Sequence, residues 1–228
     1  MRTSAIIVAA GSGSRLGVSQ PKAFVTLSGR TLLAHSLATV AALEEILEVV
    51  VTVPPGMETE ARAEARRTGM TIPVKVTEGG SERQDSVRIA LSLTSAESDL
   101  VVIHDAARPF ASPVLFKRCI EAAARSGGAI AAIPVADTLK RVEENLIAAT
   151  VPRAGLYQAQ TPQAFRRRTL IEAHERAHAA GITATDDADL VERLGERVEI
   201  VEGSALNLKI TTRSDLQIAE AIAATLAK

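Results

Sequence analysis

The sequence predicts an α/β protein with a Rossmann-like, doubly wound, mostly parallel sheet and a β-hairpin arm. Short apolar, β-branched runs alternate with longer segments of helical periodicity, which is typical of right-handed βαβ units. Most of these runs are apolar at nearly every position, as expected for strands covered by helices on both faces. Hydrophobic residues make up 46% of the 228 positions, so one domain spanning residues 1–228 is expected to bury a sizeable core.

The elements follow one another along the chain at the spacing of βαβ units. Strands are predicted at residues 5–10, 48–53, 74–77, 100–104 and 129–134. Helices are predicted at residues 31–43, 57–68, 84–95, 113–126, 167–180, 186–194 and 214–227. The fourth helix has the clearest ends, because Ser112-Pro113 is a good start and Gly127-Gly128 a good stop.

Residues 135–160 interrupt this alternation. They contain two strand-like runs on either side of a Glu-Glu-Asn turn, which predicts a hairpin-like arm. A two-stranded hairpin is marginally stable alone in water, so we expect a partner surface to cover it. An ordinary surface hairpin is the alternative.

Composition and charge argue against several classes of protein. The formal net charge is −1 and aromatic residues make up 2%, so neither nucleic acid nor an anionic membrane is an expected partner. Cys119 is the only cysteine, which excludes an internal disulfide and a Cys-rich zinc site. No segment approaches the ~20 apolar residues of a membrane span. We therefore expect a cytoplasmic protein that acts on small molecules, with His174 and His178 at its surface.

A glycine loop follows the first strand and carries its own cations, Arg15 and Lys22. Glycines at this place let backbone N–H groups approach phosphate oxygens. A dinucleotide fingerprint needs glycine or alanine where Leu16 stands, and a Walker loop needs Gly-Lys-Ser/Thr where Leu16-Gly17-Val18 stands. A glycine loop that fits neither motif but carries two cations suits a triphosphate that is attacked at its α-phosphate. Arg15 and Lys22 can stabilise the negative charge that accumulates on this phosphate.

Two later segments carry further candidates. The run GGSERQDSV, residues 79–87, precedes a helix, and its Ser81, Asp85 and Ser86 are expected to cap that helix and to offer hydrogen bonds to a nucleobase or ribose. The run LVVIHDAARPF, residues 100–110, ends a strand in a carboxylate at the edge where open α/β sheets bind ligands. Asp105 is therefore a candidate ligand of Mg²⁺ or of a substrate hydroxyl, and Arg108 of a phosphate.

These motifs occur in a specific order. The sequence resembles the 2-C-methyl-D-erythritol 4-phosphate cytidylyltransferases over essentially its whole length. The runs that carry the resemblance are AAGSGSRLG followed by PK, HDAARP, DTLK, VPR, QAQTPQAF, TDDADLVE and LNLKIT.

Two other functions stay open. Ribitol-5-phosphate cytidylyltransferases share the HDA-RP and QTPQ elements, although the AAGSGSR opening and Lys140 favour the erythritol substrate. A non-catalytic nucleotide-sensing module on the same fold is expected to have lost Arg15, Lys22 or Lys209, and the sequence contains all three.

The resemblance implies transfer of CMP from CTP to the polyol phosphate with release of pyrophosphate, with Mg²⁺ as cofactor. It implies that catalysis depends on Arg15, Lys22 and Lys209. It implies a nucleotide-binding set of Ala9, Ala10, Gly11, Ser12, Gly13, Gly80, Asp85, Ser86 and Ala106. It implies an acceptor-binding set of Asp105, Arg108, Thr138, Arg153, Thr161 and Thr185. It also implies a homodimer in which the arm carries Thr138 and Arg153 to the neighbouring subunit's site.

Overall fold

The computed structural model describes residues 1–18 and 20–226, and a central sheet organises them. The strands are β1 (Thr3–Val8), β2 (Thr26–Leu27), β3 (Arg30–Thr31), β4 (Ile46–Val53), β5 (Val74–Glu78), β6 (Leu100–Asp105), β7 (Gly128–Pro134), β8 (Leu139–Glu143), β9 (Leu146–Val151), β10 (Tyr157–Arg166) and β11 (Glu199–Glu202). The helices are α1 (Leu32–Ala41), α2 (Glu58–Arg67), α3 (Arg83–Leu93), α4 (Pro113–Ser126), α5 (Arg167–Ala179), α6 (Asp187–Glu192) and α7 (Arg213–Leu226).

The seven-stranded sheet has the order β11-β7-β10-β6-β1-β4-β5, which confirms the predicted fold class. Every pairing in it is parallel except those of β10, which runs antiparallel to β6 and to β7. The chain leaves β1 toward β4 on one side and returns to β6 on the other. Doubly wound sheets bind ligands at such a switch point, so the carboxyl ends of β1 and β6 mark the expected site.

Helices cover both faces of the sheet, which explains the continuous apolar runs. Ala5 and Ile7 of β1 belong to the core that contains the inner sides of α1, α2 and α4, whereas Ile6 belongs to the core beneath α3, α5 and α6. Successive side chains of a strand point to opposite faces, so Ala5, Ile6 and Ile7 are all buried and apolar. No helix among the described residues is long and apolar enough to cross a membrane.

The predicted ends of the fourth helix are confirmed. Ser112 Oγ accepts a hydrogen bond from the Leu115 amide at 3.2 Å, and Gly127 ends α4 with a φ of 98°.

The predicted cap of α3 is wrong. Its first flanking residue is Glu82, and the Ser81 hydroxyl donates instead to the Asp85 carboxylate at 2.9 Å. The Ser86 hydroxyl donates to the Glu82 carbonyl at 3.1 Å, because Ser86 lies a full turn inside the helix.

Sequence patterns missed β10, β11 and the small β2–β3 hairpin. The strand β10 reads YQAQTPQAFR, and its polar residues and Pro162 are depleted in central strands. The ladder with β7 shifts register between Ala159 and Gln163, which accommodates the proline in the middle of the sheet. Since β10 begins at Tyr157, the arm is shorter than the predicted residues 135–160.

The hairpin of β8 and β9 forms the arm. Glu144 and Asn145 join its strands with φ values of 48° and 66°, the left-handed pair that a two-residue hairpin turn requires. Val142, Leu146 and Ile147 are 56%, 73% and 67% exposed within the described chain. An exposed apolar cluster of this kind is typical of a surface that contacts another protein.

A buried carboxylate lies near the amino ends of the sheet strands. Glu48 accepts from Ser4 Oγ at 2.8 Å and from the Ser95 amide, and it pairs with Lys75 Nζ at 2.7 Å. Burial alone would raise the pKa of Glu48, but the hydrogen bonds from Lys75, Ser95 and Ser4 outweigh it and leave the pKa below its ordinary value. The ionised form of Glu48 therefore stabilises the fold.

We expect Glu48→Gln to lower the free energy of unfolding by about 1–2 kcal/mol at pH 7, the scale of weakened hydrogen bonds to a charged group. Because the pKa of Glu48 is lower in the folded protein than in the unfolded chain, its ionised carboxylate stabilises the fold at pH values above the unfolded pKa of about 4.3. This stabilisation is lost as the pH falls through the pKa of the folded protein. The difference between the two chains should therefore shrink between pH 5 and the folded pKa. Urea unfolding at several pH values measures it, and a constant difference would contradict this role for Glu48.

Candidate active site

The glycine loop lies directly after β1 and packs against Lys22. Gly13 has a φ of +73°, and a Cβ built on it would lie 2.7 Å from Lys22 Cβ and 3.2 Å from the Lys22 amide nitrogen. Any larger residue would therefore push Lys22 away from the loop. Leu16 after the loop and Ile210 beside Lys209 share one small apolar core with α7. The fold thus brings the segments of the three predicted catalytic residues together.

A cavity of about 330 Å³ opens between this loop and the carboxyl ends of β1 and β6. It collects most of the predicted nucleotide-binding and catalytic residues, and the predicted acceptor-binding residue Asp105 also lines it. The nucleotide-binding and catalytic residues are Ala9, Ala10, Gly11, Arg15, Lys22, Gly80, Ser86, Ala106 and Lys209. Three predicted nucleotide-binding residues, Ser12, Gly13 and Asp85, are not among its lining residues. Gly13 acts through the packing of Lys22, and Asp85 packs against Gly80 and lines a separate cavity.

One wall of this first cavity is the segment from Gly79 to Ser86. A Cβ on Gly79 would lie 2.3 Å from Ala10 Cβ and 2.6 Å from Ser86 Oγ, so the segment packs tightly against the glycine loop. Ser86 is 1% exposed, and its Oγ accepts from the Gly80 amide at 3.1 Å. Because this hydroxyl donates its hydrogen to Glu82, Ser86 Oγ has acceptor capacity left for a ligand.

Positive charge is concentrated at the first cavity. Burial lowers the pKa of Lys22, and the neighbouring charges of Lys209 and Arg15 lower it further, while Asp105 partly opposes them. Like charges gathered in one cavity repel one another until an anion binds between them. The electrostatics of the cavity therefore favour a polyanion such as a triphosphate.

Asp105 lies at the end of β6 with both carboxylate oxygens paired. Arg83 Nε donates to Oδ1 at 2.9 Å and Lys209 Nζ donates to Oδ2 at 2.6 Å. Burial alone would raise the pKa of Asp105, but the charges of Arg83 and Lys209 outweigh it and hold the pKa well below its usual range. Asp105 is therefore ionised and unsuited to act as a general base.

Arg83 is a site residue that the sequence patterns missed. Its Nη1 donates to Asp187 Oδ2 at 2.8 Å, and His174 Nε2 donates to Asp187 Oδ1 at 3.0 Å. His174 and Asp187 are both 1% exposed, so the expected surface position of His174 is wrong, although His178 is exposed. Leu170, Ala173 and Ala177 form an apolar stripe on α5, and position 174 lies on the same inward face. This stripe is the sequence feature that could have predicted the burial of His174.

Thr161 is held by a buried histidine. Burial lowers the pKa of His104 to about 4, so its ring is neutral near pH 7. The Arg108 carbonyl accepts from His104 Nε2 at 3.1 Å, which makes Nδ1 the acceptor of the Thr161 hydroxyl at 3.0 Å. Thr161 Oγ1 in turn accepts from the Asp105 amide at 3.0 Å. The hydroxyl of Thr161 therefore fixes Asp105, and only a lone pair remains for a substrate.

A second cavity of about 240 Å³ adjoins the first. Its lining includes four predicted acceptor-binding residues, Asp105, Arg108, Thr161 and Thr185, together with Gln163 and Asp186. Both cavities share Arg83, Asp105 and Lys209, so this ion-paired group lies where they meet. Thr138 and Arg153 are exposed beside or on the arm and line neither cavity of the described chain.

Asp105 is the candidate metal ligand of the site, and few other ligands surround it in the described part of the chain. No group of three described His, Cys, Asp or Glu residues lies close enough together to hold an ion. Asp105, the predicted ligand, already accepts from two cations. A divalent ion at this site would therefore have to bring most of its oxygen ligands with the substrate.

A doubly wound sheet, a glycine loop with its own lysine and arginine, and a second polar cavity beyond Asp105 define a Rossmann-like nucleotidyltransferase. The family model for 2-C-methyl-D-erythritol 4-phosphate cytidylyltransferase matches residues 3–225. The chain belongs to this family, which confirms the resemblance seen in its motifs.

Individual relatives agree with this assignment. The 2-C-methyl-D-erythritol 4-phosphate cytidylyltransferase of Deinococcus radiodurans is 48% identical over 97% of this chain and 89% of its own length. That of Acidobacterium capsulatum is 42% identical over 96% of each chain. The crystal structure of the enzyme of the same name from Thermus thermophilus has a TM-score of 0.82 and 42% identity, and covers 98% of this chain and 100% of its own. The structure of 4-diphosphocytidyl-2C-methyl-D-erythritol synthase from Anaerococcus prevotii has a TM-score of 0.86 at 31% identity and covers 98% of each chain.

Proposed function

We propose that this chain transfers CMP from CTP to 2-C-methyl-D-erythritol 4-phosphate and releases pyrophosphate. The observation that carries the proposal is the pair of adjoining cavities that share Arg83, Asp105 and Lys209. The first cavity, with Arg15 and Lys22, suits CTP, and the second suits a phosphorylated polyol. The names of the relatives support the choice of both substrates.

The reaction needs positioning and charge neutralisation more than proton transfer. An oxygen of the acceptor phosphate forms a bond to the α-phosphorus of CTP, and the bond from that phosphorus to the bridging oxygen breaks, so pyrophosphate leaves with the electron pair. Because the second pKa of a phosphate monoester is about 6, the attacking group is ionised near pH 7 and needs no base. Arg15 and Lys22 stabilise the charge that develops on the α-phosphate.

The protein's part in substrate placement divides between the cavities. Arg108 and Lys209 neutralise the acceptor phosphate, and Thr161 and Thr185 offer hydrogen bonds to the acceptor. Mg²⁺ is the proposed cofactor, and when bound it would neutralise part of the triphosphate charge. Mg²⁺ usually takes most of its ligands from substrate phosphates and water, and Asp105, which already accepts from Arg83 and Lys209, would supply one carboxylate oxygen at most.

Pyrophosphate release tests the proposal. CTP is incubated with 2-C-methyl-D-erythritol 4-phosphate, with ribitol 5-phosphate or without an acceptor, and ³¹P NMR identifies the product. We expect one pyrophosphate and one diphosphate-linked product per turnover, with the erythritol acceptor strongly preferred. A preference for ribitol 5-phosphate would support the related cytidylyltransferase. CTP binding without release for any acceptor would indicate a nucleotide-sensing module.

We expect UTP to be a poor substrate. Uracil presents a donor at N3 and an acceptor at O4, where cytosine presents an acceptor and a donor. Ser86 Oγ has only acceptor capacity left, so it matches the cytosine amino group and leaves a uracil oxygen unpaired. A site built for one hydrogen-bond pattern rejects the other by about 1–3 kcal/mol for each unpaired buried group. Comparable kcat/KM values for CTP and UTP would contradict this base recognition.

We further propose that two copies of the chain form a homodimer and complete each other's sites through the arm. Thr138 and Arg153 line neither cavity of the described chain, and the arm exposes Val142, Leu146 and Ile147. Burial of these side chains against a second copy would supply the support that a two-stranded hairpin lacks.

Mixing two inactive variants tests the shared site. Arg153→Ala removes a residue of the arm, and Lys22→Ala removes a residue of the glycine loop. If the arms cross, each hybrid dimer has one site with both changes and one intact site, so a fully exchanged mixture should recover about a quarter of the wild-type activity. A mixture with proven subunit exchange that stays inactive would show that each subunit uses its own arm.

A further inference from the structure

The segment that carries Lys209 has no regular structure, yet it is anchored at two fully buried residues. Residues 203–211 lie between β11 and α7 without helix or strand, yet Asn207 and Ile210 are 0% exposed. Buried backbone groups outside a helix or ladder need other hydrogen-bond partners. The position of Lys209 therefore depends on what supplies these partners.

The side-chain amides of Gln160 and Asn207 supply several of them. Gln160 Nε2 donates to the Ser204 carbonyl at 2.9 Å, and Gln160 Oε1 accepts from the Ser204 amide at 3.3 Å and from Asn207 Nδ2 at 3.1 Å. Asn207 Nδ2 also donates to the Thr161 carbonyl at 2.8 Å. Both partners of Nδ2 are acceptors, which fixes the orientation of the Asn207 amide. We call these two side chains the amide brace.

The amide brace connects directly to both cations of the second cavity. Arg108 Nη1 donates to the Asn207 carbonyl at 2.8 Å, and the Ile210 amide donates to the Ala107 carbonyl at 2.9 Å. Lys209 lies between the two residues that form these hydrogen bonds, and its Nζ donates to Asp105 Oδ2 at 2.6 Å. The backbone carbonyl of Asn207 thus orients the Arg108 guanidinium, and Lys209 follows Asn207 by two residues in the same segment.

Gly203 gives independent support for this arrangement. A Cβ on Gly203 would lie 2.4 Å from Gln160 Oε1 and 3.2 Å from the Ala132 carbonyl oxygen. The Gly203 amide donates to that same carbonyl at 2.8 Å, so the backbone cannot simply move away. Glycine at this position therefore leaves the room that the Gln160 amide occupies.

We infer that Asn207, supported by Gln160, is a positioning residue that sets Lys209 and Arg108 for binding of the acceptor phosphate. Asn207 lines neither cavity, so it acts through the residues that it holds. The inference rests on the proposed function, because it assigns these two cations to the acceptor. Lys209 lines both cavities and Arg108 only the second, whereas the glycine loop and Ser86 form no hydrogen bond with the amide brace in the described part of the chain.

Asn207→Ala should lower kcat/KM for the acceptor at least about tenfold, equivalent to the loss of about 1.4 kcal/mol of stabilisation. The KM for the acceptor should rise by a larger factor than the Kd for CTP, because the nucleotide cavity keeps Arg15, Lys22 and Ser86 when Lys209 is displaced. Ser204→Ala is the matched control, because the Ser204 hydroxyl accepts only from Leu206 within the same segment. This control should change neither constant.

Gln160→Met provides a second variant in case Asn207→Ala does not fold. Methionine nearly preserves the shape of Gln160 but cannot replace its amide hydrogen bonds, so the same acceptor-specific loss is expected. Because Gln160 also lines the second cavity, faster amide exchange across residues 203–210 must accompany this loss if the brace causes it. Unchanged acceptor kinetics in a folded variant, or an equal weakening of CTP binding, would overturn the inference.

Amide hydrogen exchange separates this inference from the proposed function. Exchange across residues 203–210 should become faster in Asn207→Ala than in Ser204→Ala, whether or not the chain turns over. Wild-type protein that releases no pyrophosphate would refute the proposed function alone. Unchanged exchange in Asn207→Ala would refute the amide brace alone.

Discussion

Alanine at Lys22 or at Arg15 is expected to lower kcat by roughly 30- to 150-fold, corresponding to about 2–3 kcal/mol of barrier. The Kd for CTP should change much less, because the charge that these residues stabilise develops on the α-phosphate only in the transition state. Gly13 places Lys22 against the loop, and burial together with the charges of Lys209 and Arg15 lowers the Lys22 pKa. The close packing against Gly13 thus sets the position of the Lys22 backbone and Cβ before the substrate binds.

Pyrophosphate release gives kcat, and calorimetric titration gives the Kd for CTP. Lys117→Ala is a suitable control, because Lys117 is exposed on α4 and lines neither cavity. A variant of Lys22 or Arg15 with near-normal turnover would remove that residue from the chemistry. A loss confined to CTP affinity would assign it to ground-state binding instead.

Asp187→Ala should destabilise the fold by about 3–5 kcal/mol, the scale for removing one partner of a buried ion pair. Burial alone would raise the pKa of Asp187, but the charge of Arg83 and the hydrogen bond from His174 outweigh it and hold the pKa below its usual value. Without this carboxylate, the Arg83 guanidinium and the His174 ring lose their shared partner. Activity should fall as well, since Arg83 also orients Asp105.

Urea unfolding at pH 7 measures this effect, and Asp189→Ala supplies the comparison. Asp189 lies on the same helix α6 and pairs with Arg193, whose side chain is 51% exposed. An exposed pair of this kind contributes about 0.2–1 kcal/mol. Equal destabilisation by the two substitutions would mean that the Asp187 network does not stabilise the protein.

Much of the fold could be predicted because its signals are local. A strand covered on both faces requires apolar residues at successive positions, and β1, β4, β6 and β7 show this in the sequence. The ends of α4 follow from one serine, one proline and one glycine at fixed offsets. In contrast, β10 is central but polar, because its buried Gln160, Thr161 and Gln163 form hydrogen bonds around the site.

The parts of the site that could not be predicted join distant positions. Arg83 reaches Asp187, and Lys209 reaches Asp105, each pair 104 residues apart in the sequence. Periodicity and motif spacing report on neighbours along the chain, so they indicated that Asp105 lies at the site but not that both of its oxygens are paired. Thr138 and Arg153 line neither cavity of the described chain, so the role that the family resemblance implies for them is the part of the site that one chain leaves unplaced.

If CTP binds in the first cavity and the acceptor in the second, a titration of CTP should distinguish residues of the two cavities. Ser86 lines only the first of these cavities and Arg108 only the second. Ser86→Ala should therefore weaken CTP binding about tenfold, the scale of one buried hydrogen bond, while Arg108→Ala leaves the Kd within about twofold of wild type. If Arg108→Ala weakens CTP binding as much as Ser86→Ala does, the two cavities do not separate the two substrates and the account is wrong.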